Sequence, residues 1–196
     1  SRVERIVAYD VDIGGGPSPE RACARVEKAA GRGFEVLLAN QRRAWARRWE
    51  ESDVVIEGDE DLQQRVRVAL YHLMSSVGEQ GESAVGARGM TGHAYRGHVF
   101  WDADLFVLPF LAATRPSAAR AMLEYRMRRL SVARDRARAE VHAGARFAWE
   151  SAGSGVDVTP MTGRDRTGHA VPIRTGHLEV HIVGDVAWAA CCYAGW

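Results

Sequence analysis

Residues 86–111 read GARGMTGHAYRGHVFWDADLFVLPFL, and the change of character inside this stretch decides the fold. Its first half is rich in glycine and polar side chains, the composition of a loop. From Trp101-Asp102 onward it turns apolar, and the pattern predicts a helix over 102–113. A loop that feeds a helix and carries Tyr95, Arg96, His98, Trp101 and Asp102 concentrates the chemistry of a sugar site. The apolar C–H faces of a pyranose lie on indole rings, and its hydroxyls take charged or dipolar partners. A second segment, Phe147-Ala148-Trp149-Glu150-Ser151-Ala152, repeats the pairing of Trp with a carboxylate. The two pairs, Trp101-Asp102 and Trp149-Glu150, read together as one candidate site.

Working outward, residues 3–9 have the pattern of a short strand. Gly14-Gly15-Gly16-Pro17 ends it, and this run reads as a loop because it lacks the spacing of a phosphate-binding turn. Ser18-Pro19-Glu20 is a helix start, with a capping hydroxyl, a proline in the first turn and then an acid. The first helix is expected to run to about residue 30. A second covers 34–50, with Phe34, Leu37, Leu38, Gln41, Trp45 and Trp49 on one side. Residues 53–57 resemble a strand. Leu62, Val66, Ala69, Leu70, Leu73 and Val77 predict an amphipathic helix over 60–77. Residues 78–98 form a long glycine-rich loop, a length that marks function or disorder.

A single long helix is expected over 116–143. An irregular stretch with six glycines follows over 144–176. A nearly all-apolar helix over 178–193 is expected to be buried on most sides, with Cys191 and Cys192 inside. Helix pairs alternating with long site-bearing loops predict a mainly α protein, part of an α/α toroid.

Composition narrows the function. With 46% hydrophobic and 26% charged residues in 196, the chain is globular. A net charge of +1 gives no general case for nucleic acid. Residues 115–138 hold eight Arg against two acids, but these arginines scatter over several faces and read as a solvated outer surface. No apolar run approaches the roughly 20 residues of a membrane span. Cys23, Cys191 and Cys192 fit neither a disulfide framework nor a zinc site, so a reducing, cytoplasmic setting is expected. His177 and His181 are four apart but stand in no metalloprotease order, and His93 and His98 lack a third ligand, so no metal is expected. His181 reads instead as a buried polar anchor or a site donor. The chain starts at Ser1 without Met and stops at Trp196 after an apolar run, so a fragment of a longer protein is expected.

The run Tyr95-Arg96-Gly97-His98-Val99-Phe100-Trp101-Asp102 resembles the signature of glycoside hydrolase family 65. This family comprises the maltose, trehalose and kojibiose phosphorylases and related hydrolases. Ala44-Trp45-Ala46-Arg47-Arg48-Trp49, the segment Asp53-Val54-Val55-Ile56-Glu57-Gly58-Asp59, Pro109-Phe110, Tyr125-Arg126, Trp149-Glu150-Ser151-Ala152, Thr159-Pro160 and His181-Ile182 with Asp185-Val186-Ala187 follow in family order. The sequence departs from the family at His93, at Asp104 and at the residues just before Trp149.

The resemblance implies a partial (α/α)6 toroid preceded by a helical linker and the last strand of a β-sandwich. The implied domains are residues 1–16 for the sandwich, 17–59 for the linker and 60–196 for the first part of the catalytic barrel. It also implies a disaccharide substrate held by Tyr95, Arg96, His98, Trp101, Asp102, Trp149, Glu150 and Thr175. In that scheme Trp101 and Asp102 hold the transferred glucosyl unit, Trp149 and Glu150 lie at its junction with the leaving sugar, and Thr175 contacts the leaving sugar. The family's general acid would lie beyond Trp196. The implied reaction is inverting phosphorolysis to β-glucose 1-phosphate, with inorganic phosphate as co-substrate and no cofactor, or hydrolysis of the same bond by water. A homodimer is implied for the parent, with neither nucleic acid nor membrane as partner. A non-catalytic carbohydrate-binding remnant is the alternative of another class.

Overall fold

The computed structural model describes residues 3–10, 16, 18–79, 81–92 and 94–195, so His93 and most of the glycine run before Pro17 lie outside the described residues. The chain divides into two compact units after Glu51.

In the first unit, residues 3–10 carry no regular secondary structure. The strand expected over 3–9 is absent: among the described residues no other strand pairs with it, and the Tyr9 carbonyl accepts the Arg25 guanidinium at 2.8 Å instead. Helix α1 spans Pro19–Arg32. The Ser18 hydroxyl accepts the Arg21 N–H at 3.1 Å and so satisfies one of the unpaired donors of the first turn. Gly33, at φ +74°, separates α1 from α2, Phe34–Ser52. Only a residue without a Cβ takes that conformation at low cost.

In the second unit the strand expected over 53–57 is likewise missing, and the cause is visible. The Gln63 side chain accepts the Ile56 N–H at 2.7 Å and donates to the Val54 carbonyl at 2.9 Å, taking the place of a neighbouring strand. Helix α3, Glu60–Ser75, starts at the Asp59 cap and ends near its expected boundary. The helix after Trp101 opens with a π-helical turn, Ala103–Val107, and continues as α4, Leu108–Thr114. Pro109 has no N–H to give to the carbonyl four residues back, which favours irregular bonding at this point.

The single helix expected over 116–143 is two: α5, Pro116–Arg128, and α6, Leu130–Ala139. The break falls at Arg129 (φ −102°, ψ 6°), whose guanidinium bonds Glu82 at 2.9 and 3.1 Å while its Nε donates to the Gly153 carbonyl. Those distant partners outweigh one more turn of regular helix. The stretch 144–176 contains a hairpin, β1 Thr162–Arg164 against β2 Ala170–Pro172, with Gly163 opposite Val171. A short helix α7, Thr175–Leu178, and then α8, Ile182–Gly195, complete the unit. The final helix therefore starts four residues later than its apolar run, because Glu179 leaves helical geometry.

The core is built by α4, α5 and α8: Leu108, Leu111, Met122 and Ala189 are almost fully enclosed, with Val77 and Val85 packed beside them. Helix α8 is not buried on most sides. Ile182, Val186 and Ala189 face inward, whereas Trp188 is half exposed, Cys191 is exposed and Cys192 is only partly covered. Burial there follows the positions of the packed helices, α4 and α5, and not the composition of α8 itself.

Candidate functional site

Main-chain pairing joins the two tryptophan segments. Val99 and Ser151 form an antiparallel bridge with reciprocal N–H···O bonds of 2.9 Å each. Ser151 also bridges Asp157, the Val158 N–H donates to the Glu150 carbonyl at 2.9 Å, and the Ala87 N–H donates to the His98 carbonyl at 3.1 Å. These pairings set four irregular segments side by side and supply the partners their buried backbone groups need. Residues about 50 apart in sequence become neighbours.

Three side-chain anchors hold this arrangement on the helices. The Tyr125 hydroxyl, on α5, donates to the Ala152 carbonyl at 2.8 Å and meets Ser151 Oγ at 2.8 Å. Arg126 and Asp104, each 3% exposed, form a buried ion pair with a closest contact of 2.6 Å. The same guanidinium donates to the Phe100 carbonyl at 3.0 Å, so it grips the backbone immediately before Trp101-Asp102. Arg136, on α6, bonds Asp157 at 2.7 Å and the Gly176 carbonyl at 2.5 Å. Asp157 in turn accepts the backbone N–H of Trp149 at 3.1 Å and of Thr159 at 2.9 Å. Burial pushes the Asp157 carboxyl up, but the hydrogen bonds from Thr159, the Arg136 charge and the Trp149 N–H outweigh it and hold it below the usual carboxylate range. The arginine-rich segment is therefore not simply a solvated face. Arg126 is buried, and Arg129 and Arg136 are largely covered; these three reach inward to tie the loops down.

The outcome is one open cavity of about 790 Å³. All eight residues singled out from the sequence line it. Trp101, Asp102, Trp149 and Glu150 come from the two motifs; Tyr95, Arg96 and His98 from the preceding turn; Thr175 from the start of α7. Phe100, Val158 and Ile173 also contribute. Val158 and Ile173 are ordinary apolar residues with no local mark of a site, whereas Phe100 lies within the Tyr95–Asp102 run. Asp102 additionally borders a second, mainly apolar cavity of about 500 Å³ beside α3.

Tyr95 and Arg96 have φ of +61° and +53°, a conformation that costs non-glycine residues energy and is often found at functional sites. The turn closes through the His98 N–H to the Tyr95 carbonyl at 2.8 Å. It backs onto Gly86, where a Cβ would sit 3.0 Å from the Gly97 carbonyl oxygen.

The aromatic rings form a continuous wall. The Trp101 and Trp149 centroids lie 6.5 Å apart, and Phe100 meets Trp149 edge-on at 6.2 Å. His181 is not the buried anchor expected, since its side chain is 44% exposed. Its ring stands edge-on to Trp101 at 4.9 Å and to Trp149 at 5.5 Å, with Nδ1 2.6 Å from Asp185. His177 and His181 do not share a helix, because α7 ends between them. No cluster of three metal-ligating side chains occurs among the described residues. Glu150 is buried, with His98 Nδ1 2.7 Å from its Oε1. The Asp102 carboxylate is exposed and makes no hydrogen bond among the described residues. It is thus an acceptor available to a ligand.

A helical scaffold carrying an open cavity of indoles and carboxylates matches a known class of fold. The solved structure of "Putative kojibiose phosphorylase from human microbiome" superposes with a TM-score of 0.75 over 89% of this chain and 23% of that one, at 24% identity. The fold is thus mainly α, a partial α/α toroid. Residues 67–195 match the glycosyl hydrolase family 65 central catalytic domain, and the chain belongs to that family. It is 40% identical to a kojibiose phosphorylase of Halothermothrix orenii over 94% of its length. It is 41% identical over 66% to an alpha,alpha-trehalose phosphorylase of Thermoanaerobacter brockii, and 38% identical over 84% to a kojibiose hydrolase of Flavobacterium johnsoniae. These alignments span 24%, 17% and 23% of the respective relatives, so the chain covers about a quarter of their length or less. No helix among the described residues is long and apolar enough to cross a membrane.

Proposed function

We propose that this chain is the sugar-holding part of an enzyme that cleaves an α-glucosidic disaccharide, of trehalose, maltose or kojibiose type, by inverting phosphorolysis to β-glucose 1-phosphate. The observation that carries this reading is the single cavity in which Trp101, Trp149, Asp102 and Glu150 converge. Indole faces cover apolar sugar C–H groups, and carboxylates take the hydroxyls in charge-assisted hydrogen bonds. Tyr95, Arg96 and Thr175 complete the binding set, with Thr175 on the leaving-sugar side, and His98 lines the same cavity beside Glu150. The names of the relatives, phosphorylases of kojibiose and trehalose, support the substrate class.

In the proposed reaction an acid outside this chain protonates the glycosidic oxygen while phosphate attacks C1 from the opposite face. Phosphate is already an anionic nucleophile, so no base carboxylate is required. The residues here orient the glucosyl unit and exclude water from one face. Inorganic phosphate is the co-substrate, with no cofactor. Within this scheme residues 1–16 end a β-sandwich domain, 17–59 form a helical linker and 60–196 begin the catalytic barrel. The parent is a cytoplasmic homodimer. A hydrolase using water on the same bond is the second reading, favoured by the 38% identity to a kojibiose hydrolase.

The test uses the full-length protein with trehalose, maltose and kojibiose, following glucose and glucose 1-phosphate with and without inorganic phosphate. Strict phosphate dependence with β-glucose 1-phosphate as product is the expected result. Phosphate-independent release of glucose moves the protein to the hydrolase reading. Binding without turnover leaves a carbohydrate-binding remnant.

A further inference from the structure

We infer that His98 does not hold sugar directly but is a positioning residue that fixes the Glu150 carboxylate; this rests on the sugar-site reading above. Glu150 is 6% exposed as a residue, and its carboxylate has one hydrogen-bond partner among the described residues, His98 Nδ1 at 2.7 Å from Oε1. The Nδ1–H tautomer is the one that lets an ionised carboxylate accept this bond. One carboxylate oxygen is thereby occupied, and the other remains for a ligand in the cavity that Glu150 lines.

The backbone places the pair for this task. His98 and Glu150 each directly precede a partner of the Val99–Ser151 bridge. The His98 carbonyl is tied to the Ala87 N–H at 3.1 Å and its N–H to the Tyr95 carbonyl at 2.8 Å. The Glu150 carbonyl is held by the Val158 N–H at 2.9 Å. Both main chains are thus immobilised, and the imidazole restricts the torsions left to the carboxylate. A carboxylate held in one orientation loses less freedom on binding a hydroxyl than one free to turn. The strained turn at Tyr95 and Arg96 also gains a purpose, since it delivers His98 into this contact.

The experiment is a double-mutant cycle in the full-length enzyme, using whichever α-glucoside the wild type turns over. The variants are His98→Ala, Glu150→Gln, the two combined, and His98→Asn, whose side-chain amide can still donate. His98→Ala and Glu150→Gln should each lower kcat/KM by about ten- to a hundredfold. The double variant should be no worse than the poorer single, because both act through one interaction. His98→Asn should recover most of the loss, which a residue serving packing alone would not show. Losses that multiply in the double variant overturn the inference and make His98 an independent sugar ligand. Equal losses in His98→Asn and His98→Ala overturn it as well. If His98→Ala misfolds by its melting curve, the cycle run with His98→Phe, which keeps ring bulk but cannot donate, and Glu150→Gln decides: multiplied losses again refute. Failure of the wild type on every α-glucoside overturns the functional reading and this inference together, whereas multiplied losses in an active enzyme overturn this inference alone.

Discussion

Replacing Asp104 by Ala would leave the Arg126 guanidinium charged and buried without its counter-ion. In the native pair Nε lies 3.3 and 3.2 Å from the two carboxylate oxygens, Nη2 lies 2.6 Å from one of them, and each side chain is 3% exposed. After the substitution its one remaining hydrogen bond among the described residues is to the Phe100 carbonyl at 3.0 Å. Breaking a buried ion pair on one side costs about 3–5 kcal/mol, because the surviving charge stays desolvated. The loss falls on the backbone that launches Trp101 and Asp102, so it is expected as local opening. A cost near the lower bound speeds amide exchange over residues 99–108 by about a hundredfold. Hydrogen exchange followed by mass spectrometry on the full-length protein reads this segment directly. Asp104→Asn, which keeps a neutral acceptor, should fall between Ala and wild type. The combined Asp104→Leu, Arg126→Met variant should recover much of the protection, since it removes both charges together. Unchanged exchange over 99–108 in Asp104→Ala would refute the clamp.

If Asp102 holds the donor sugar as proposed, Asp102→Ala in the full-length enzyme should lower kcat/KM by orders of magnitude while the melting curve barely moves, because its exposed carboxylate makes no hydrogen bond among the described residues; retained activity counts against the donor-sugar assignment. Because the Asp157 carboxyl is depressed in the fold, its stabilising contribution is complete above the unfolded value of about 3.9 and disappears as pH falls through its lower folded value. Acid titration of tryptophan fluorescence should therefore show loosening around Trp149 in that low range, and Asp157→Asn should show it already at neutral pH; identical titrations would sink the assignment. Gly86→Ala should destabilise by about 1–3 kcal/mol, because the new Cβ meets Gly97 backbone atoms at 3.0–3.1 Å. A melting temperature equal to wild type would show that the Tyr95–Gly97 turn yields freely.

Signals that act over a few residues were legible in the sequence. Ser18-Pro19-Glu20 announced α1 because a cap works on the first turn alone, and α3 followed from its own apolar spacing. The two Trp–carboxylate pairs stood out because each carries its chemistry locally, and the eight candidate residues line one cavity. What failed were readings whose outcome depends on distant partners. Residues 3–9 and 53–57 have strand character, but a strand exists only where another backbone accepts it. The break at Arg129 depends on Glu82, 47 residues away, and the inward turn of Arg126 depends on Asp104, 22 residues away. The exposure of Cys191 and Trp188 depends on which helices pack against α8. The amino-acid order by itself determined that the chain is mainly helical and to which family it belongs. Only the tertiary structure decided which carboxylate pairs with which cation, because burial and Coulomb energy depend on distances the chain sets when it folds back on itself.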